Sequence, residues 1–418
     1  MTVFRKPAAR WMRASLRSFG SDRIEHYAWF LLAMALFGVG HGMFLGVQDN
    51  YLAWLGIGKA GRGVVEFFRE MPGLMLMFLL ALFHRMAERH ILKASMAIGI
   101  TGVVGILLVG SEALPAVVFL VVFNIGDHLI MPVRQSYAVH AAEPGREGRA
   151  LGFMRGLENL GRVLGLMLVS GIFLIPAVQV DRDGGGRLGY VAVYLTVIAF
   201  FAAAIAATLG LRRSAGSLER RRLHIHPKYR IYYILEMFYG ARKQVFLTFA
   251  PYLLILSYGA GAEYIAGLLG LCALINIAFN PVIGRIIDRL GYRTVMIGDT
   301  ILLFFVCLIY GFAHRLFDSR TAFIVISAAF VLDRMLSNAS MAASVYVGRI
   351  SDDRDEMTTT LSTGLSINHL VSILIALAGG FIWEHVGVEL LFSLAAAMAV
   401  GNSLFAATVP KVERDAAI

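Results

Sequence analysis

Charge is scarce in this chain. Asp, Glu, Lys and Arg make up 16% of its 418 residues, against 58% hydrophobic, and the mean hydropathy is +0.70. A soluble protein this poor in charge would have too little polar surface to present to water, which excludes an ordinary globule. Cysteine is scarcer still. Cys272 and Cys307 both lie inside apolar runs, where they read as small core residues and neither as a disulfide nor as a metal pair. No Gly-x-x-x-x-Gly-Lys phosphate loop is present, which argues against ATP-driven transport. No His-Glu-x-x-His or Gly-x-Ser-x-Gly constellation marks a membrane-embedded enzyme. The basic residues Arg5, Lys6, Arg10, Arg13, Arg17 and Arg23 are not followed by the short apolar stretch and small-residue exit of a signal peptide. A helix on the inner membrane surface and a positive tail both account for them.

What the chain does have is long apolar runs, several near the roughly 20 residues that cross a bilayer as a helix. The fold class expected is all-α: a polytopic membrane protein with twelve spans over 26–49, 62–83, 91–110, 114–139, 149–175, 189–211, 231–257, 262–283, 294–313, 321–347, 357–382 and 387–409. Lys and Arg crowd into one set of alternate loops and thin out in the other, which puts both termini in the cytoplasm. The net charge of +10 is spread in this way, so it signals topology and not nucleic acid. The segment 212–230, with Arg220, Arg221 and Arg222, divides the chain into halves of six spans, 26–211 and 231–409, flanked by a basic segment 1–25 and a tail 410–418. His224 and His226 lie in that segment with no acidic cluster, and read as part of a solvated loop.

The segment from Asn280 to Arg293 joins two apolar runs so closely that they must be antiparallel neighbours. It carries Gly284, Arg285, Asp288, Arg289, Gly291 and Arg293, in the order Gly-x-x-x-Asp-Arg-x-Gly-x-Arg. That pattern resembles the loop signature of the major facilitator superfamily of secondary transporters. A worn copy stands 200 positions earlier, with Arg85, Glu88, Arg89 and Lys93 in place of Arg285, Asp288, Arg289 and Arg293. Two copies half a chain apart read as an internal repeat.

The resemblance implies two pseudo-symmetric six-helix bundles, alternating access, and spans 1, 4, 7 and 10 lining a central cavity. It also implies that Asp288 faces the start of span 5 near Arg149 and Arg155. Glu88 should correspondingly face the start of span 11 near Thr358–Thr360. Such contacts would latch one side shut. A Gly-Pro step in span 5, frequent in the family's drug–proton antiporters, is missing; Gly156, Gly161, Gly165 and Gly171 have no such proline among them.

Charges that do enter apolar runs are costly and mark pathways or partners. At helical spacing, span 4 offers Asn124, Asp127 and Arg134, with His128 adjacent, and span 10 offers Asp333, Ser337, Ser340 and Ser344. Span 7 offers Tyr232, Glu236, Tyr239 and Lys243, with Arg242 turned away; span 5 has Arg155, Glu158 and Arg162. Span 11 has Ser362, Ser366, His369 and Ser372, and span 1 has His41 and Gln48. Asp127 and Asp333 fall mid-span at matching places in the halves, with Lys243 expected between them. They form the expected substrate and proton pathway together with Arg134, His41, His369 and Glu236. Arg155, Glu158 and Arg162 are equally explained as a structural cluster. Glu66, Arg69 and Glu70 fit an external gate or a local ion-pair group.

The leading expectation is a carrier for a small organic solute, anionic or zwitterionic, coupled to protons. It would act as a monomer in a bacterial inner membrane, without cofactor, metal or nucleic acid. A non-transporting receptor or assembly protein on the same scaffold and a multidrug efflux antiporter are the competing readings.

Overall fold

Apolar runs become helices because a backbone in hydrocarbon must satisfy its own hydrogen bonds. In a computed structural model, which describes residues 21–83, 86–142, 147–183, 186–211 and 225–410, the ordered elements are all helical. They are α1 (Ser21–Trp54), α2 (Lys59–Leu74), α3 (Leu76–Leu82), α4 (Glu88–Val109), α5 (Ala113–Ala141), α6 (Glu147–Phe173), α7 (Pro176–Asp183) and α8 (Arg187–Ala207). There follow α9 (Arg230–Tyr258), α10 (Ala262–Leu290), α11 (Tyr292–Leu316), α12 (Ser319–Leu336), α13 (Met341–Ile350), α14 (Arg354–His385) and α15 (Val388–Ala406). The expectations for residues 1–20, Arg85, 212–224 and 411–418 lie outside the described residues.

Ten of the described helices are long and apolar enough to cross a membrane, with α12 and α13 counted as one segment. The other two expected spans are helical as well. The second is interrupted between α2 and α3, after Pro72, and carries Arg62, Glu66, Arg69 and Glu70. The seventh, α9, is one helix of 29 residues that carries Glu236, Arg242 and Lys243. The tenth has an interruption that the apolar pattern does not announce, a 3₁₀ turn at Ser337–Ser340. Ser337 and Ser340 bond back to the carbonyls of Arg334 and Ser337, which is how serine competes with a helical ladder.

The chain forms two compact units. The first holds residues up to Gln48 and Met75–Glu219. Its helices α1 and α6 cross in backbone contact. A Cβ on Gly161 would strike the Ala35 carbonyl, and one on Gly165 the Val39 carbonyl. Reciprocally, Gly38 and Gly42 of α1 lie on the backbones of Glu158 and Arg162. In lipid, where burial of apolar surface drives little, such backbone contact is the packing energy available. Phe44 stacks on Phe123, with centroids 3.6 Å apart, and ties α1 to α5.

The second unit holds Asp49–Leu74 and residues from Arg220 onward. It therefore takes α2, from the first half of the sequence, and differs by that segment from a division at 212–230. The cause is local: Gly63 of α2 lies against Ala376 and Gly380 of α14 with no room for a side chain. Gly240 of α9 meets the Asn368 backbone of α14 in the same way. Phe246, Tyr310 and Phe392 join α9, α11 and α15. Both cysteines are buried, free thiols.

Candidate functional site

In the first unit several polar side chains meet among the described residues. His41 Nε2 of α1 lies 3.3 Å from Asp127 Oδ1 of α5, and both side chains are buried. His128 Nδ1 bonds the Asn124 carbonyl of its own helix at 2.8 Å. Arg134 donates to Glu158 at 2.7 Å, and Arg162 approaches the same oxygen at 3.2 Å, so the expected pathway residue Arg134 is taken up by the span 5 carboxylate. Arg155 is exposed and contacts Gln135 at 3.3 Å.

Glu88, expected opposite the start of span 11, instead receives hydrogen bonds from Ser136 and, at 2.9 Å, contacts His140. The reason is proximity. Glu88 opens α4, its side chain is buried, and the end of α5 is the polar surface beside it. Arg89 reaches the Leu211 carbonyl at 3.4 Å.

The second unit holds the largest network. Arg62 of α2 bridges Asp49, at 2.9 Å, and Glu66, at 2.7 Å. Arg69 bridges Glu66, at 2.5 Å, and Glu70, at 2.8 Å. From α9, Gln244 donates to Glu66 at 2.9 Å and to Thr248 at 2.5 Å, while Lys243 stands 4.0 Å from Glu70. From α14, His369 Nδ1 lies 3.1 Å from the same Glu70 oxygen. Arg62, Glu66, Glu70, Gln244 and Thr248 are all buried. Lys243 and His369 thus meet Glu70 of α2, and within this unit it is Arg242, not Lys243, that serves Asp333.

Arg242 donates to Asp299 of α11 at 2.6 Å and reaches Asp333 of α12 at 3.5 Å, so one guanidinium serves two buried carboxylates. Glu236 has a different environment. Its carboxylate accepts from Asn368 at 3.1 Å, and Tyr232, one turn earlier, is its other hydrogen-bond neighbour. Among the described residues no cation forms an ion pair with it.

The loop signature occupies the junction of α10 and α11. Gly291 has φ +81°, a left-handed conformation that admits glycine readily, and it ends α10 and begins α11. A Cβ at Gly284 would meet nothing within 4 Å, so that glycine is not required by packing within the unit. Arg285, Asp288 and Arg289 are exposed and Arg293 is half-buried. Outside the spans, Lys228 donates to Asp352 at 2.9 Å, which raises its pKa. The Asp352 amide donates to Glu356 and holds that carboxyl below its ordinary value.

Sequence reasoning passed over Asp49, Arg62, Gln244 and Arg334. Arg62 and Glu66, four apart on a helix, were the local signal available.

The family model for the Major Facilitator Superfamily matches residues 232–417. No curated protein matches the sequence. Solved structures share the fold at low identity. The nucleoside transporter NupG is 14% identical with a TM-score of 0.70, over 92% of this chain and 98% of that one. A D-xylose-proton symporter is 14% identical with a TM-score of 0.69, over 93% and 98%. A POT family transporter in complex with 5-aminolevulinic acid is 11% identical with a TM-score of 0.72, over 95% and 100%. The second half thus carries the sequence pattern of the Major Facilitator Superfamily, and the chain shares the fold of these transporters over more than nine-tenths of its length.

Proposed function

We propose that this protein is a secondary transporter that moves a small organic solute by alternating access and couples the movement to protons. The reading includes twelve spans in two bundles, both termini in the cytoplasm, a bacterial inner membrane and a monomer. The ten apolar helices support it, as does α9, about 43 Å long at 1.5 Å per residue and so longer than the roughly 30 Å hydrocarbon core. The fold is one that carries nucleosides in NupG and xylose with protons in the symporter.

The observation that carries proton coupling is the setting of Glu236. Its carboxyl is hydrogen-bonded by the neutral side chains of Asn368 and Tyr232, with the charge of Lys243 acting only at a distance, so it can gain or lose a proton without dismantling an ion pair. Protonating Asp333 or Asp127 instead weakens a pairing with Arg242 or His41. Glu236 therefore stands ahead of those two as the coupling group, with His369 and Glu70 next. Asp288 completes the reading as the charge of a latch that is made in one state and broken in the other.

Proteoliposomes with an acidic exterior and an internal pH dye, challenged with nucleosides, pentoses and amino acids, test this. Glu236→Gln should abolish solute-dependent proton entry yet keep solute exchange, and Asp288→Asn should slow both. Proton entry at the wild-type rate in Glu236→Gln would sink the coupling assignment.

A further inference from the structure

Among the described residues the ion pairs leave Arg334 over, deep within a span. Arg62, Arg69, Arg134, Arg162 and Arg242 each hold a carboxylate at 3.2 Å or less. Arg334, in the span formed by α12 and α13, holds none among the described residues. Its Nε is buried without a hydrogen-bond partner. Its sequence neighbour Asp333 feels its charge but is turned to Arg242.

The side chain is nonetheless held in place. The guanidinium carbon lies 4.9 Å from the centroid of the Phe330 ring, one turn earlier, a cation–π contact that uses none of its N–H donors. The Arg334 carbonyl accepts from Asn276 of α10 at 3.4 Å, from Ser337 at 2.8 Å and from Asn338 at 3.3 Å. Asn338 also donates to Asn276 Oδ1 at 2.9 Å. These bonds set the backbone where α12 gives way to its 3₁₀ turn. Ser337, the next residue along that face, is exposed, and Arg334 is half-buried.

Depth decides what can reach it. The span runs from Ser319 to Ile350, and Arg334 stands about 23 Å along it, near its middle. Lipid phosphates lie roughly 15 Å from the centre of a bilayer. An unpaired arginine at this depth is costly unless it meets an anion or water.

We infer that Arg334 binds the anionic group of the transported solute, a carboxylate, phosphate or sulfonate, through the N–H donors of its guanidinium. This rests on the reading of the protein as a solute carrier. The planar fork favours two parallel hydrogen bonds to such a group, which an ammonium could not supply.

The test is thermal melting of the full-length protein in detergent. The probes are acetate, glutamate, benzoate, glycerol phosphate, inorganic phosphate and taurine, with ribose, glucose and uridine as neutral controls and phosphatidylglycerol as the lipid arm. At least one soluble anion should raise the Tm. Arg334→Gln should weaken its binding about tenfold or more, and Arg334→Lys by less. Arg334→Lys also serves as the readout if Arg334→Gln does not fold. The inference is overturned if no soluble anion shifts the Tm, if only neutral solutes or only phosphatidylglycerol do, or if both variants bind the anion as the wild type does. Anion binding without transport in proteoliposomes would overturn the carrier reading and leave Arg334 as an anion site; transport restricted to neutral solutes would do the reverse.

Discussion

At the scale of a residue, Arg62 carries the heaviest electrostatic duty. It is 2% exposed and lies between two carboxylates, Asp49 and Glu66. Arg62→Ala would strand both, at a cost of about 3–5 kcal/mol. Lys243→Gln, which removes a partly exposed cation at the far edge of the network, should cost under about 1 kcal/mol. Melting of the purified variants checks the contrast, and equal losses would show that the network does not depend on Arg62. The sequence displays Glu66, Arg69 and Glu70 as a group but not what they meet. Gln244 is 178 residues from Glu66, and His369 is 299 residues from Glu70. No local rule joins groups so far apart. Spacing did place Asp127, Asp333 and Glu236 within helices, but their partners come from other helices and decide which of them can titrate freely.

At the scale of an element, the glycines of α6 divide into two kinds that look alike in sequence. Gly161 and Gly165 lie on the backbone of α1, whereas a Cβ at Gly156 or Gly171 would meet nothing within 4 Å. Gly161→Ala should therefore lower the Tm by several degrees, while Gly156→Ala should leave it unchanged or raise it, since alanine favours a helix by about 1 kcal/mol. If both substitutions behave alike, α1 and α6 do not cross as described. Helix positions themselves were legible, because runs of apolar residues announce them. The break in the tenth span was written in Ser337 and Ser340, but at helical spacing with Asp333 and Ser344 they read as one polar stripe on an unbroken helix. The crossing of α2 with α14 was not legible, since Gly63 and Gly380 become neighbours only once the helices are folded.

At the scale of the molecule, the distribution of Lys and Arg governs orientation. Arg212, Arg213, Arg220, Arg221 and Arg222 fall close together in the segment between the halves, while Gly184, Gly185 and Gly186 make a weakly charged stretch after α7. Reporter fusions should place residue 220 in the cytoplasm and residue 185 outside. Both on one side of the membrane would overturn the twelve-span topology. The loop signature, whose family resemblance was legible from five residues, is consistent with that orientation. The assignment of α2 to the second compact unit was not legible, because the apolar pattern records how a segment crosses lipid and not which neighbours it keeps.

The network around Glu66 has an electrical consequence. Asp49, Glu66 and Glu70, when ionised, balance Arg62, Arg69 and Lys243, so with His369 neutral the group carries no net charge. The membrane potential then does no net work on it, however far it shifts. One proton on His369 changes that. A single charge crossing the whole field is worth about 2.3 kcal/mol per 100 mV. Voltage would thus act on the displacement of this group only when its charges do not balance, so a shift of the network with its ion pairs intact adds nothing to the voltage dependence of transport.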